Sequence, residues 1–445
     1  MGQRHLFILL FIILQSIFLL HYYVVGQAVY GDGIYYYSIT RSLYKDHNVN
    51  FANEFGHLYS PQNNNAVIPT PIGTVSSTTN TNLVPNFYPL GAPLSWLPAF
   101  FVADTFAVTL NYFNKNTPLL GYSDLYQISV GTWNIIFIII SSLLLWKVLS
   151  KYFSSSISLL SITTLIFGSN LLYYGSIDVI NSHPFSFLLS SALFFTVMKS
   201  YGQYSMRQYF ILGLLVGLMA LTRTQDGIFL LIPFAVIIMQ MQRKTLKSKK
   251  MPIIFYGKAV LLTLLGFIIG FFPQPVMWGI IYGSVSANPY ITQDSGFNFL
   301  EPNILGVLFN YKTGIVFWSL FYFISFVGLF LLRKKIPFIA ILSIGLVLIQ
   351  FYVISSWSGW TQGEAFGNRM LISTLPFLVL GYAALVEKVK EKVGMTLVTT
   401  FSFFLIIFNN VLILYFLTVA QSPTFILGEA TNNINFQRFL ELLSF

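Results

Sequence analysis

The sequence predicts an all-α membrane protein that crosses the bilayer many times. Three observations predict this fold class: the composition, the apolar runs and the placement of the basic residues. Hydrophobic residues make up 55% of the 445 residues, and charged residues only 9%. Because a soluble domain carries roughly 25% charged residues, we expect this chain to be solvated largely by lipid. Cysteine is absent, which excludes disulfide bonds, thiol catalysis and thiolate metal sites.

The apolar runs have the length that a membrane-spanning helix requires, roughly 20 residues. They predict about eleven spans, near residues 6–25, 124–146, 157–174, 184–201, 208–222, 226–241, 253–282, 314–332, 336–356, 369–386 and 396–419. One further apolar stretch, 88–110, contains Pro89, Pro93 and Pro98, each of which lacks a backbone donor.

The basic residues decide whether 88–110 spans. They cluster at Lys147 and Lys151; Lys199 and Arg207; Arg243, Lys244, Lys247, Lys249 and Lys250; Arg333, Lys334 and Lys335; and Lys388, Lys390 and Lys392. If 88–110 does not span and Arg4 is cytoplasmic, every cluster is cytoplasmic, as the positive-inside rule requires. If 88–110 spans, the clusters move outside. An inverted N-terminus would restore them, but it would separate residues 27–87 from the other outward polar loops. We therefore predict a re-entrant or surface-lying helix at 88–110, and we interpret the net charge of +10 as a topology signal rather than a nucleic-acid footprint.

The predicted organisation is a single membrane domain over residues 1–445 in the cell membrane, with a cytoplasmic N-terminus. Its parts are a first transmembrane helix at 6–25, a first outer loop at 27–123 with interface or re-entrant helices, the remaining transmembrane helices in 124–420, and an outer tail at 421–445. The first span, followed by Gly26-Gln27-Ala28, also fits a signal peptide. The many later spans favour an uncleaved anchor.

The outward loops contain most of the candidate chemistry. Asp32 follows the first span and is flanked by Gly31 and Gly33. A partly desolvated carboxylate at the end of a membrane helix is a candidate general base. The structural alternative is an aspartate that caps a helix beside a glycine turn.

Further ionisable residues follow in the first outer loop, namely Arg41, Asp46 and Glu54. Others lie at or beside predicted helix ends, where they are costly to bury and therefore suggest function: His183, Arg223, Asp226, Lys312, Glu364 and Arg369. Each has a structural alternative: Arg223 and Asp226 could form a local ion pair, and Arg369 could be an interfacial anchor. Together they place a carboxylate beside several cations on one membrane face, which suits a lipid-linked phosphate.

Several segments occur in an order that is typical of one superfamily. They are GDGIYYYSITRSLYKDHNVNFANEF (31–55), NFYPLGAPLSWLPAFF (86–101), NSHPFSF (181–187), LTRTQDG (221–227), FPQPVMWGIIYGS (272–284) and WSGWTQGEAFGNRMLISTLPF (357–377). The chain resembles the polytopic glycosyltransferases of the GT-C superfamily. It is most similar to the prokaryotic mannosyltransferase-like branch, which is related to protein O-mannosyltransferases.

The resemblance implies a GT-C-like fold and an inverting transfer of a sugar, a mannose-like hexose, from a polyprenyl-phosphate donor. The acceptor would be a glycan, lipid or protein on the extracytoplasmic face. Asp32 would be the general base. Donor-phosphate binding would fall to Arg223, Lys312 and Arg369, and substrate binding to Arg41, Asp46, Glu54, His183, Asp226 and Glu364.

One departure from the family concerns the acids of the first loop. Many relatives pair two acids there, whereas here Gly33 follows Asp32. A second acid would then be Asp46 or Glu54. We expect no cofactor and no metal, with a divalent metal as the alternative. Membrane lipid is an expected partner, and nucleic acid is not.

Two other functions fit the same features. One is a non-catalytic transporter or flippase for a lipid-linked saccharide, and the other is an accessory subunit of a glycosylation complex. A transporter predicts broken helices in two related halves, and no internal repeat is evident in the sequence.

Overall fold

The computed structural model describes residues 3–55, 79–246, 252–287, 296–311, 313–363 and 365–420. Lys312, Glu364 and the predicted outer tail 421–445 lie outside these residues. Within the described residues every regular element is a helix, and one isolated β-bridge joins Phe297 to Trp357. The predicted all-α class is confirmed.

The helices follow one another along the chain. They are α1 (Gln3–Val25), α2 (Asp32–Arg41), α3 (Ala52–Phe55), α4 (Gly91–Tyr112), α5 (Asp124–Leu149), α6 (Ser155–Phe167), α7 (His183–Lys199), α8 (Met206–Thr222), α9 (Leu231–Leu246), α10 (Ile253–Phe271), α11 (Pro273–Tyr282), α12 (Ile304–Phe309), α13 (Ile315–Trp318), α14 (Leu320–Leu332), α15 (Pro337–Ser356) and α16 (Leu375–Tyr415). The segments Thr224–Leu230 and Arg369–Thr374 form tighter 3-10 turns that lead into α9 and α16. The backbone of α16 is interrupted at Gly394, where φ is 83°.

Among the described residues, seven helical segments are long and apolar enough to cross a membrane. They are His5–Val25, Gly91–Tyr112, Asp124–Leu149, Thr224–Gln242, Ile253–Phe271, Pro337–Ser356 and Arg369–Thr418. Shorter apolar helices, among them α6, α8 and α14, pack between these. The chain is a multi-pass membrane protein, and about eleven spans stay a prediction.

Large apolar side chains cover the outside of the bundle. Leu261 on α10 is 65% exposed, and Phe403 on α16 is 57% exposed. In water such continuous apolar surfaces would be unfavourable, whereas a bilayer solvates them. Some hydroxyls inside the bundle bond within their own helix: those of Ser141 and Ser161 donate to carbonyls one turn earlier.

Glycines permit the closest helix packing. Gly213 and Gly217 on α8 face Gly266 and Gly270 on α10, and a Cβ at any of them would collide with the opposite backbone. Lipid provides no hydrophobic drive between helices, so membrane bundles use small residues to gain van der Waals contact.

The stretch for which a re-entrant or surface position was predicted forms the continuous helix α4, with Pro98 inside it. The Trp96 indole donates to Asn134 Oδ1 at 2.8 Å, and the Tyr126 hydroxyl donates to Asp104. These two pairs show that α4 runs antiparallel to the N-terminal part of α5. The length and composition of α4 also suit a membrane span, so its position relative to the bilayer stays a prediction.

Candidate active site

Asp32 is the first residue of α2, and its neighbours fix where it lies. Gly31 precedes the helix with φ of 53°, a left-handed conformation that favours glycine. On the other side, a Cβ at Gly33 would lie 2.6 Å from the carbonyl oxygen of Ile180. The first turn of α2 therefore lies directly against the loop before α7, and no side chain fits between them.

Both oxygens of the Asp32 carboxylate have partners. The Tyr88 hydroxyl donates to Oδ1 at 2.8 Å, and Arg369 Nη1 forms an ion pair with Oδ2 at 2.8 Å. The Asp32 side chain is 33% exposed and that of Arg369 is 18% exposed. The ion pair is thus partly shielded from water, but part of each side chain remains exposed at the protein surface.

Aromatic neighbours hold the Tyr88 ring in place. Tyr35 stacks on it with a centroid distance of 4.8 Å and an interplanar angle of 7°. Tyr36 meets it edge-on, also at 4.8 Å, and Phe87 packs on it at 4.6 Å. Such pairs stabilise by about 0.5–1.5 kcal/mol beyond their buried area, so the hydroxyl that faces Asp32 is on a well-supported ring.

A second acid, Asp178, belongs to the same group. It lies in the loop between α6 and α7, and its charge interacts with those of Asp32 and Arg369. Burial raises the pKa of Asp178 to about 7; the Arg369 charge opposes this shift, and the Asp32 charge adds to it. Asp178 is thus an acid of this group that the sequence analysis did not select; Asp46 and Glu54 were the predicted candidates for a second acid.

The second arginine of the group is Arg223, at the C-terminal end of α8. Its Nη1 donates to Ser182 Oγ at 3.1 Å and to His183 Nδ1 at 3.0 Å. Tyr36 also donates to Ser182 Oγ, at 3.0 Å. Within the part of the chain that the structure describes, Arg223 forms no ion pair with a carboxylate. A buried guanidinium with only neutral partners retains the capacity to bind an anion.

Asp226 lies beside this group but faces inward. It is fully buried, and its two carboxylate oxygens accept from Ser186 at 2.7 Å and from Ser373 at 2.9 Å. The local ion pair of Arg223 and Asp226, one of the structural alternatives, does not form. Asp226 instead ties α7 to the turn before α16, which fixes the positions of His183 and Arg369.

Arg41, Asp46 and Glu54 form a separate cluster in the first loop. Arg41 Nη1 bonds Asp46 Oδ2 and, at 2.8 Å, Glu54 Oε1. Its Nε donates to the Leu120 carbonyl at 3.0 Å, and its guanidinium lies 4.6 Å from the Tyr122 ring centroid. Among the residues that the structure describes, these three share no hydrogen-bond partner with Asp32. They hold α2 and α3 against the loop before α5.

Glu54 has an unusual environment for a carboxylate. Its side chain has no exposed surface, and its Oε2 has no hydrogen-bond partner within the described structure. Burial raises the pKa of Glu54 to about 7, although the bond from Arg41 opposes this shift. The group is therefore poised to change its charge near neutral pH.

The structure brings together Asp32, His183, Arg223 and Arg369, four residues that the sequence predicted as site residues. It adds Tyr36, Tyr88, Asp178 and Ser182, which the sequence analysis did not select. Tyr88 and Asp178 follow apolar or proline-rich stretches whose register a single sequence does not reveal. Among the described residues, no three Asp, Glu, His or Cys side chains converge in a way that would hold a metal ion.

A known protein family matches a segment of the chain that carries several of these residues. Residues 124–270 match the family described as dolichyl-phosphate-mannose-protein mannosyltransferase. This segment contains Asp178, His183 and Arg223, but it ends before Arg369. No curated protein matches the chain.

Similar solved structures come from oligosaccharyltransferase of Archaeoglobus fulgidus. One is in complex with zinc and sulfate, with 13% identity and a TM-score of 0.47 over 91% of this chain and 52% of the other. Another is the archaeal oligosaccharyltransferase AglB in complex with an inhibitory peptide and a dolichol-phosphate, with 10% identity and a TM-score of 0.47 over 98% of this chain and 56% of the other. This chain spans about half the length of these proteins.

The match at residues 124–270 covers the loop and helix ends that carry Asp178, His183 and Arg223. Two of the motifs on which the resemblance rested, 181–187 and 221–227, lie within it. The resemblance of this chain to the GT-C glycosyltransferases of the mannosyltransferase type is therefore confirmed.

Proposed function

We propose that the protein is a membrane glycosyltransferase that moves a hexose from a polyprenyl-phosphate donor to an acceptor hydroxyl on the extracytoplasmic face. The observation that carries this proposal is the convergence of Asp32 with Arg223 and Arg369 at the ends of α2, α8 and the turn before α16. The family match supports a dolichyl-phosphate-type donor.

The reaction assigns a role to each charge. Asp32 takes the proton of the acceptor hydroxyl as its oxygen attacks the anomeric carbon. The new carbon–oxygen bond forms as the bond to the phosphate breaks, and the bonding electrons leave with the polyprenyl phosphate. Attack opposite the leaving group inverts the anomeric centre. A general base of this kind typically contributes 10²–10⁴-fold to the rate.

The two arginines would stabilise the leaving phosphate. Guanidinium groups suit phosphate oxygens because they donate two parallel, charge-assisted hydrogen bonds. Charges that are already oriented stabilise the developing negative charge without reorganisation. Lys312 remains a third candidate for this role, outside the described residues.

The remaining residues would act around this centre. His183, Tyr36 and Ser182 surround Arg223 and would limit its orientations. Glu364, outside the described residues, stays a candidate substrate contact. Asp226 and the cluster around Arg41 would act indirectly, by holding the site and the first loop in place. We propose that the arginines, rather than a metal ion, supply the positive charge.

The test is sugar transfer by purified protein in lipid nanodiscs, with polyprenyl-phosphate mannose and polyprenyl-phosphate glucose as donors. Wild type should transfer the sugar or slowly hydrolyse one donor, and Asp32→Asn should reduce that rate by about 10²–10⁴-fold. Asp104→Asn is the matched control, since Asp104 is another carboxylate of the first loop that pairs with Lys45. Equal rates for the two variants would refute the role of Asp32. Donor binding without any turnover by wild type would instead favour a carrier or an accessory subunit.

A further inference from the structure

Arg369 has two anionic partners under the proposed function, Asp32 and the donor phosphate. It forms an ion pair with Asp32, yet under the proposed function it must also bind the donor phosphate. The contact is made by one nitrogen to one oxygen, Nη1 to Oδ2 at 2.8 Å. A guanidinium carries five N–H donors, so this single-ended contact leaves others available to an incoming anion.

The two partners of Asp32 differ in how firmly they are held. The Tyr88 ring is packed between Tyr35, Tyr36 and Phe87, so its hydroxyl has little freedom to leave Oδ1. Within the described structure, the one polar contact of the Arg369 side chain is its ion pair with Asp32. Its long side chain is partly exposed and has several rotatable bonds. Arg369 is therefore the partner that can change its position.

The charges around Arg369 favour a change of its partner from Asp32 to an incoming anion. The charges of Asp32 and Asp178 both interact with that of Arg369. Arg223 has no carboxylate partner among the described residues, and both arginines influence Tyr36 and His183. An anion attracted by Arg223 would thus arrive beside Arg369 and compete with Asp32 for it.

Resting on the proposed function, we infer that Arg369 is an exchangeable partner that couples donor binding to the base. Without donor it pairs with Asp32 Oδ2. When the donor phosphate binds, Arg369 transfers to the phosphate, and Oδ2 becomes free to face the acceptor hydroxyl while Tyr88 keeps the carboxylate oriented. The donor therefore binds before the base becomes competent, which sets the order in which the substrates act.

The exchange predicts a gain in binding when Asp32 loses its charge. In Asp32→Asn, Arg369 no longer has to leave an ion pair, so the protein should bind a polyprenyl phosphate about fivefold more tightly than wild type. The probe is undecaprenyl phosphate, titrated against each purified variant in nanodiscs and followed by a binding assay that needs no turnover.

Two variants separate the exchange from simpler effects. Asp178→Asn removes a neighbouring negative charge that makes no ion-pair contact with Arg369, so its gain in affinity should be clearly smaller. Tyr88→Phe removes the other bond to Asp32 and should leave affinity within about twofold of wild type, since Arg369 stays paired.

Three results would overturn the inference. One is unchanged affinity in Asp32→Asn, and another is an equal gain in Asp32→Asn and Asp178→Asn, which a general field effect would produce. Either would leave the proposed function intact if Asp32→Asn still abolished turnover. The third is the absence of saturable binding by wild type and all variants, which would contradict the donor class and the exchange together.

Discussion

Gly33 and Ile180 are in backbone contact, with room for no side chain between them: a Cβ at Gly33 would lie 2.6 Å from the Ile180 carbonyl oxygen. This contact explains why the residue that follows Asp32 is a glycine. The loop that occupies this space also carries Asp178, whose charge interacts with that of Asp32. An acid that interacts with Asp32 therefore lies on the opposing loop rather than at the next position in the chain.

Because of this contact, we expect Gly33→Ala to displace Asp32, although Gly33 itself takes no part in the chemistry. Overpacking of this kind typically costs about 1–3 kcal/mol, and the first turn of α2, which carries Asp32, must move to relieve it. Turnover should fall and the thermal midpoint in detergent should decrease. Gly257→Ala on α10 is the control, because a Cβ there has open space around it. If both alanine variants behave like wild type, α2 does not depend on this contact.

The sequence predicted the parts of this protein that depend on local or compositional signals. Apolar runs identified the helices, and polar residues at their ends identified Asp32, His183, Arg223 and Arg369. Contacts between distant segments were not predictable, because a single sequence does not show which helix ends meet. Asp178 and Tyr88 were missed for this reason, and Arg41 was assigned to the substrate although it is fully engaged with Asp46, Glu54 and Leu120.

Tyr88→Phe tests the role of the hydroxyl that orients Asp32. Hydrogen bonds to charged groups contribute about 1.5–3 kcal/mol, so its loss should lower kcat by about tenfold or more. The ring and its stacking on Tyr35 remain. KM for the donor should change little, since Arg369 is not involved in this bond.

The control for this experiment is Tyr126→Phe. It removes a tyrosine hydroxyl that also donates to a carboxylate, that of Asp104, and it leaves the partners of Asp32 in place. Equal losses of kcat in the two variants would mean that the hydroxyls only stabilise the loop. The assay is single-turnover sugar transfer with saturating donor.

The buried Glu54 predicts that the loop between α1 and α5 loses stability as pH rises. Its pKa is about 7 in the folded protein, above its ordinary value of 4.5, so the folded state holds a proton that the unfolded state releases. The stabilisation is complete below about pH 4.5 and is lost as pH rises through 7, at a total cost of about 3 kcal/mol. Limited proteolysis of the loop should be faster at pH 8 than at pH 5.

Glu54→Gln should flatten this pH dependence, because the amide does not titrate. Glu301→Gln, which changes an exposed acid in another loop, should leave the difference between pH 5 and pH 8 as it is in wild type. A pH dependence that persists unchanged in Glu54→Gln would assign it to other groups.

The absence of cysteine makes the topology of α4 directly measurable with single-cysteine variants and a membrane-impermeant maleimide. Asn80 and Lys115, exposed residues before and after α4, should both be labelled from outside intact cells if α4 is re-entrant or lies at the surface. Gln203, between α7 and α8, should be labelled only after permeabilisation. The reason is the positive-inside rule, which places the basic clusters, among them Lys199 and Arg207 on either side of Gln203, in the cytoplasm only if α4 does not span. If Asn80 and Lys115 label from opposite sides, α4 spans the bilayer, and either the first span or the positive clusters must be reassigned.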